Sequence, residues 1–215
     1  IIFRSTLPIG TCKNIIVKIF KNNKLKVEKD YFLSFAPERT IEGNAIKELQ
    51  NLPQIVSGYG KKSLNKVTNF FKNISNHVVP VKSIEAAEMV KLLNNSFRDL
   101  SFAFSNQIAM ICNQHGLNTN EIINAANKGY PRNQIPLASP GVGGPCLTKD
   151  PYIYSFHNKS KLFNEIRLGI ESRRINSLGP SYVSLQIEKF KLAAKINRKL
   201  KIFIIGLAFK GWPET

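Results

Sequence analysis

The residues of this chain best suited to covalent chemistry stand together in Gly141-Val142-Gly143-Gly144-Pro145-Cys146-Leu147-Thr148-Lys149-Asp150. A cysteine reacts as its thiolate, and a neighbouring cation such as Lys149 raises the fraction of thiol in that form. Glycines allow positive φ and let the backbone approach a ligand closely. An isolated cysteine in a turn would read as an inert packing residue; the surrounding run favours a nucleophile. A second polar set, Glu88, Lys91, Asn95 and Arg98, recurs at three- and four-residue steps. On a helix these share one face, within reach of a single ligand, although solvated charge stripes have the same spacing. Asn94-Asn95 in mid-helix lowers helix propensity, which makes a function for Asn95 plausible.

These residues need elements to hold them. Ala86, Val90, Leu93, Phe97, Leu100, Phe104, Ile108 and Ile111 mark one apolar face of a long helix, with Ser83 as N-cap and Gly116 as C-terminal stop. A second helix is predicted over 119–128. The segment 129–144, punctuated by Pro131, Pro136 and Pro140, reads as a long functional loop leading into the cysteine run. Helices are expected near 163–175 and from 180 to about 200, with a boundary at Gly179-Pro180. Residues 201–210 read as a buried strand ending in a glycine turn, the way a nucleotide-binding α/β unit begins. Before the long helix, strands at 1–4, 31–35, 54–58 and 78–81 alternate with helices over 15–20, 44–51 and 61–72. Such alternation predicts a parallel sheet with helical crossovers, and the chain reads as opening in the back half of an α/β domain.

Composition excludes several classes. In 215 residues, no apolar run reaches the length needed to span a bilayer, about eighteen residues. Ile1-Ile2-Phe3 is interrupted by Arg4 and Pro8 and is not read as a signal peptide. Cys12, Cys112 and Cys146 are odd in number and far apart, so no disulfide framework or metal-ligand pair is expected; a reducing cytoplasm suits them. A net charge of +17 suits anionic ligands. Nucleic acid is a weak alternative, because the lysines are scattered and aromatics do not interleave with them.

Five segments in order carry a resemblance: Ser5-Thr6-Leu7-Pro8-Ile9-Gly10; Pro37-Glu38-Arg39-Thr40-Ile41-Glu42-Gly43; Ala87-Glu88-Met89-Val90-Lys91-Leu92-Leu93-Asn94-Asn95-Ser96-Phe97-Arg98; the 141–150 run; and Gly206-Leu207-Ala208-Phe209-Lys210-Gly211. The chain resembles the UDP-glucose/GDP-mannose 6-dehydrogenase family, most of all the branch acting on UDP-N-acetylmannosamine. The resemblance implies an α/β architecture: the back half of a Rossmann-like NAD domain over 1–82, a helical middle domain with a long dimerisation helix over 83–179, and a linker helix with the first strand of a UDP-binding Rossmann-like domain over 180–215. The chain corresponds to roughly the middle half of that family. It lacks the glycine fingerprint for the NAD pyrophosphate, so the segment alone is expected to bind NAD poorly and to be inactive.

Oxidation of a sugar C6 alcohol to a carboxylate removes four electrons, and the family passes them to two NAD molecules through a thiohemiacetal and a thioester. By resemblance Cys146 is the nucleophile, Lys91 and Asn95 steady the oxyanion, and Asp150 handles protons or orders water. Glu38 matches the glutamate of thioester hydrolysis, with Glu42 as a supporting carboxylate, and Thr6 positions water. An acid following Pro37 at a helix start is also stabilised there by the dipole alone. Ser5, Thr6, Glu42 and Lys149 match cofactor contacts. Glu38, Arg39, Lys91, Asn95, Arg98, Tyr130, Arg132, Asn133, Gly143, Phe209 and Lys210 match substrate contacts. No metal is implied; a UDP-sugar and a second copy of the chain, paired through the long helix, are the implied partners. Cys12 and Cys112 are read as packing residues. The alternatives are a non-catalytic dimerisation module, or UDP-N-acetylglucosamine or UDP-glucose as the substrate.

Overall fold

The computed structural model describes residues 1–41, 43–156 and 167–206. They form two compact units, Ile1–Asn94 and a second from Asn95 onward.

In the first unit, β1 (Ile2–Phe3) leads through the loop 4–11 into a π-helical turn, Cys12–Ile16, that continues as α1 (Val17–Asn22). Then come β2 (Ser34–Phe35), α2 (Ala45–Asn51), β3 (Gln54–Gly58), α3 (Lys61–Lys72) and β4 (Val78–Pro80). The strands lie in the order β1-β2-β3-β4. Parallel pairing holds for β1 with β2 and for β3 with β4, each joined through a helix. The middle pair departs from the expected all-parallel sheet: β2 and β3 run antiparallel, with Ser34 opposite Gly58 and Phe35 opposite Ser57. The connection between them returns the chain to the end it left, and an antiparallel neighbour needs no crossover.

Successive residues of β2 face opposite sides of the sheet, and the core divides accordingly. Phe35 packs with Cys12, Tyr31, Leu33, Ile84 and Ala87 on one side. Ala36 packs with Val56, Val67 and Phe71 on the other. Tyr31 stacks on Phe20 at 4.5 Å between centroids, which adds about 1 kcal/mol to its burial.

The long helix is present as α4, Ile84–Gln114. Its residues to Asn94 belong to the first unit and those from Asn95 to the second. Ser83 Oγ accepts from Ala86 N at 3.2 Å, the expected cap. Gly116 ends the helix at φ +67° while Leu117 N donates back to Cys112 O at 2.9 Å. The apolar stripe does not mark the buried face. Leu93, Phe97, Phe104 and Ile111 are half or more exposed, whereas Ser96, Asp99, Ala103, Ser105, Asn106 and Cys112 are buried.

The second unit continues with α5 (Thr119–Asn127), capped by Asn118 Oδ1, which accepts from Asn120 N and Glu121 N. The 129–144 loop forms as expected and carries no helix or strand. It is followed by α6 (Asp150–Phe156), α7 (Leu168–Ser177) and α8 (Gly179–Ala193). The helix expected over 163–175 is α7 where described, and α8 stops short of residue 200. Residues 201–206 form no strand, and Phe203 and Ile205 are each 89% exposed. A strand is made by its ladder partners, and the described residues offer none there. Residues 207–210 of that expectation lie outside the described residues. No helix among them is long and apolar enough to cross a membrane.

Candidate active site

Each unit gathers part of the expected site. In the second, Cys146 is exposed on the turn that enters α6. Its carbonyl accepts from Lys149 N at 3.3 Å and Asp150 N at 3.1 Å, so the turn after the cysteine closes on the cysteine's own backbone. Thr148 Oγ1 donates to Gly144 O at 2.9 Å and fixes the preceding residues. Asp150 is fully buried, and a buried polar side chain must be hydrogen-bonded or paired. It is both: Asn95 Nδ2 donates to Oδ2 at 2.5 Å and Lys149 Nζ pairs with Oδ1 at 3.1 Å. Asn95 and Lys149 thus meet at Asp150, one turn after Cys146.

The remaining substrate-contact candidates of this unit are more open. Arg98 is exposed on α4. Arg132 donates to the Tyr130 hydroxyl at 3.2 Å with its guanidinium over the ring, and Asn133 lies on the same exposed stretch. An open groove of about 330 Å³ is lined by Asn133, Pro136 and the α4 residues Phe97, Leu100 and Phe104. At Gly143 a side chain would meet nothing within 4 Å.

In the first unit, Glu38 follows β2 and its extension. Arg4, at the end of β1, pairs with its carboxylate at 2.6 Å, and Thr40 N donates to Oε1 at 2.9 Å. Burial would raise this carboxyl, but hydrogen bonds from Thr40 and the Arg4 cation outweigh it, and the group lies below the usual carboxylate range. Lys91 Nζ donates to the carbonyl of Glu38, so α4 and the 37–40 segment are joined at two of the expected positions. Glu38 and Thr40 border a small cavity of about 110 Å³ with Ala45, Ile46 and Leu49, room for about three waters. Arg39 turns away and donates to Pro53 O. Ser5 is exposed on the loop at the carboxyl end of β1, next to Thr6. Glu42, Phe209 and Lys210 lie outside the described residues.

Cys12 and Cys112 are buried, as expected of packing residues. Burial drives the Cys12 thiol far above its ordinary value, and the Glu88 carboxylate reinforces the effect. Glu88 itself is fully buried, accepting from Gly10 N at 2.5 Å and Cys12 N at 2.9 Å. The polar stripe on α4 is therefore no uniform solvated face. Its first member is a core anchor, its last is open to solvent, and the two between make specific bonds. Sequence reading passed over Arg4 and the buried set Asp99, Asn106, Arg173 and Asn176. Polar residues at helical spacing, as in Ser172, Arg173 and Asn176, were the available signal.

A loop at the carboxyl end of a strand in an α/β unit is where nucleotide-binding folds hold their ligand, and the helical unit, taken by itself, bears an exposed cysteine. The chain belongs to the UDP-glucose/GDP-mannose dehydrogenase family: the model of its NAD binding domain matches residues 1–75 and that of its central domain residues 85–177. Among its relatives is the UDP-N-acetyl-D-mannosamine dehydrogenase of Pyrococcus horikoshii, 34% identical over 215 residues, covering 100% of this chain and 50% of that protein. A solved structure of the UDP-D-ManNAc dehydrogenase from Pyrococcus horikoshii superposes with a TM-score of 0.82 at 32% identity, covering 91% of this chain and 46% of the other. The native structure of the UDP-N-acetyl-mannosamine dehydrogenase from Staphylococcus aureus gives 0.80 at 30% identity, with 98% and 47% covered. The chain spans about half the length of the curated relatives it matches.

Proposed function

We propose that this chain is the middle part of an NAD-dependent dehydrogenase that oxidises the C6 hydroxyl of a UDP-N-acetylhexosamine, UDP-N-acetylmannosamine first among them, to the uronic acid. The observation that carries the reading is the exposed Cys146 on a turn whose following aspartate is buried and held by Asn95 and Lys149. The names of the relatives support the substrate.

The residues fit NAD in part. Exposed Ser5 beside Thr6 at the carboxyl end of β1 suits the polar edge of a dinucleotide; the glycine fingerprint for its pyrophosphate is not in this sequence. Lys149 is the cation proposed to face the cofactor. Bound NAD accepts one hydride in each of the two oxidations. The chain's own residues do the rest. The Cys146 sulfur adds to the aldehyde carbon, the carbonyl π bond opens onto oxygen, that oxygen takes up the proton the thiol gives up, and a thiohemiacetal forms. Oxidation of that carbon gives the thioester. Water then adds, the carbon–sulfur bond breaks, and the carboxylate departs with the thiol restored.

Lys91 and Asn95 are assigned to the charge that develops on the C6 oxygen, where fixed donors lower the barrier most. Asp150 is assigned to the proton leaving the alcohol or to an ordered water. Glu38, with its proton affinity depressed, suits orienting a water more than storing a proton; Thr6 assists it. Arg98, Tyr130, Arg132 and Asn133 are the proposed contacts to the nucleotide sugar. The exposed apolar face of α4, with Phe97, Phe104 and Ile111, is assigned to a second copy, because a patch of that kind marks an association surface. Free thiols suit a reducing cytoplasm.

The test is NADH formation with UDP-N-acetylmannosamine and NAD, comparing this chain with Cys146→Ala. Activity lost on substitution, by about a thousandfold or more, makes Cys146 the nucleophile. Activity retained in the variant removes it. Inactivity of both favours the second reading, a dimerisation module complete only with further sequence, which the partial cofactor site supports.

A further inference from the structure

A buried polar cluster in the second unit lies outside every role assigned above. Asp99, fully buried on α4, accepts from three side chains of α7: Arg173 Nη1 at 2.6 Å, Ser172 Oγ at 2.7 Å and Asn176 Nδ2 at 2.9 Å. Arg173, whose side chain is 6% exposed, donates from the same nitrogen to the carbonyl of Val142 at 3.0 Å. Asn176 Oδ1 accepts from Asn106 Nδ2 at 2.9 Å, and Asn106 Oδ1 accepts from Ser139 N at 2.8 Å. The cluster therefore grips the cysteine loop at Ser139 and Val142. Ser139 Oγ, donating to Gly141 O at 2.8 Å, stiffens the stretch between.

The ends of α7 touch the same segment. A side chain at Gly169 would run into the Pro151 carbonyl and the Ser155 hydroxyl of α6. One at Gly179, just past α7, would run into the Pro140 carbonyl and the Gly141 backbone. Helix α7 thus lies along both flanks of the cysteine run, with glycines where backbone meets backbone and an arginine at the middle.

Stability alone does not account for this design. A buried ion pair does little better than well-packed apolar residues of the same size, because desolvation offsets most of the attraction. What an arginine adds is a planar donor set with fixed directions. We propose that Arg173, held by Asp99 and Asn176, is a positioning residue that sets the backbone of 139–142 and through it the placement of Cys146. The proposal rests on reading Cys146 as the nucleophile.

Two variants of the whole chain test it, Arg173→Lys and Gly179→Ala. The lysine keeps the charge beside Asp99 but lacks the longer, planar side chain whose Nη1 reaches both Asp99 and Val142 in fixed directions. The alanine pushes Pro140 and Gly141 away from the α7–α8 junction. Amide hydrogen exchange over 139–150 is expected to quicken by about tenfold or more in each, while α5, in the same unit, keeps its parent rates. The alkylation rate of Cys146 by iodoacetamide is expected to move toward that of a thiol in an unstructured peptide. Parent-like exchange over 139–150 in both variants overturns the proposal. So does quickening spread evenly over α5 as well, the mark of a merely structural role. If the parent's Cys146 already alkylates like a peptide thiol while 139–150 still loosens on substitution, the clasp stands and the nucleophile reading fails.

Discussion

Cys12 and Cys146 each follow a glycine-bearing loop, and each loop is held through a buried acid on α4. The surroundings of the two sulfurs are otherwise opposed. Around Cys12 the acid is Glu88, whose carboxylate takes two backbone N–H groups of the loop directly and stands beside the thiol. Apolar packing closes over the sulfur, and a thiolate there would face a carboxylate in a low-dielectric site. Around Cys146 the acid is Asp99, which holds Arg173, which holds the loop at Val142, so no carboxylate of the anchor meets the sulfur and the thiol is left in solvent. The same residue type is silenced in one region and presented in the other. What differs is whether the anchoring charge acts directly or through an intermediary.

The comparison breaks most visibly in reactivity. In the native chain Cys146 is expected to alkylate faster than Cys12 by on the order of a thousandfold, since Cys12 must await an opening of the fold. Peptide mass spectrometry after timed iodoacetamide exposure reads the ratio, and comparable rates would erase the distinction. The next effect sharpens the role of the anchor. Glu88→Gln replaces one acceptor oxygen by a donor and leaves a loop N–H unsatisfied, at a cost of about 2–3 kcal/mol. Urea unfolding measures it, and a midpoint equal to the parent's would show that Glu88 is no anchor. The smallest effect concerns Glu38. Its folded value lies below the ordinary one, so its contribution is complete above the ordinary carboxylate value and is lost as pH falls through the depressed one. Because the pair with Arg4 is partly exposed, the amount is under about 1 kcal/mol. Glu38→Gln is expected to flatten the acid limb of stability by that much, and an unchanged limb would dissociate Glu38 from Arg4.

Most elements were legible because their signals are local. Gln54–Gly58 and Lys61–Lys72 occur at the expected residues, and α4 begins after the Ser83 cap and stops before Gly116. The antiparallel pairing of β2 with β3 was not, since strand direction depends on where a connection returns and not on the strand's own residues. The burial of α4 was misjudged for a related reason: periodicity shows that two faces differ, and it does not say which one a partner helix covers. In the site, Cys146, Lys149 and Asp150 announced themselves by proximity in the chain. Arg173 and Asn176 did not, because their partners lie on α4 and in the 139–142 loop, far away in sequence.

The sequence by itself determined most of the elements, the placing of a cysteine on a glycine-rich turn, and the family, because capping, periodicity and motif spacing are properties of neighbouring residues. Only the tertiary structure decided which α4 residues are anchors, that Asp150 is buried while Cys146 is open, and that Glu38 is held below its usual value by Arg4 and Thr40. Those outcomes depend on desolvation and on hydrogen-bond geometry, which exist only once distant segments have packed together.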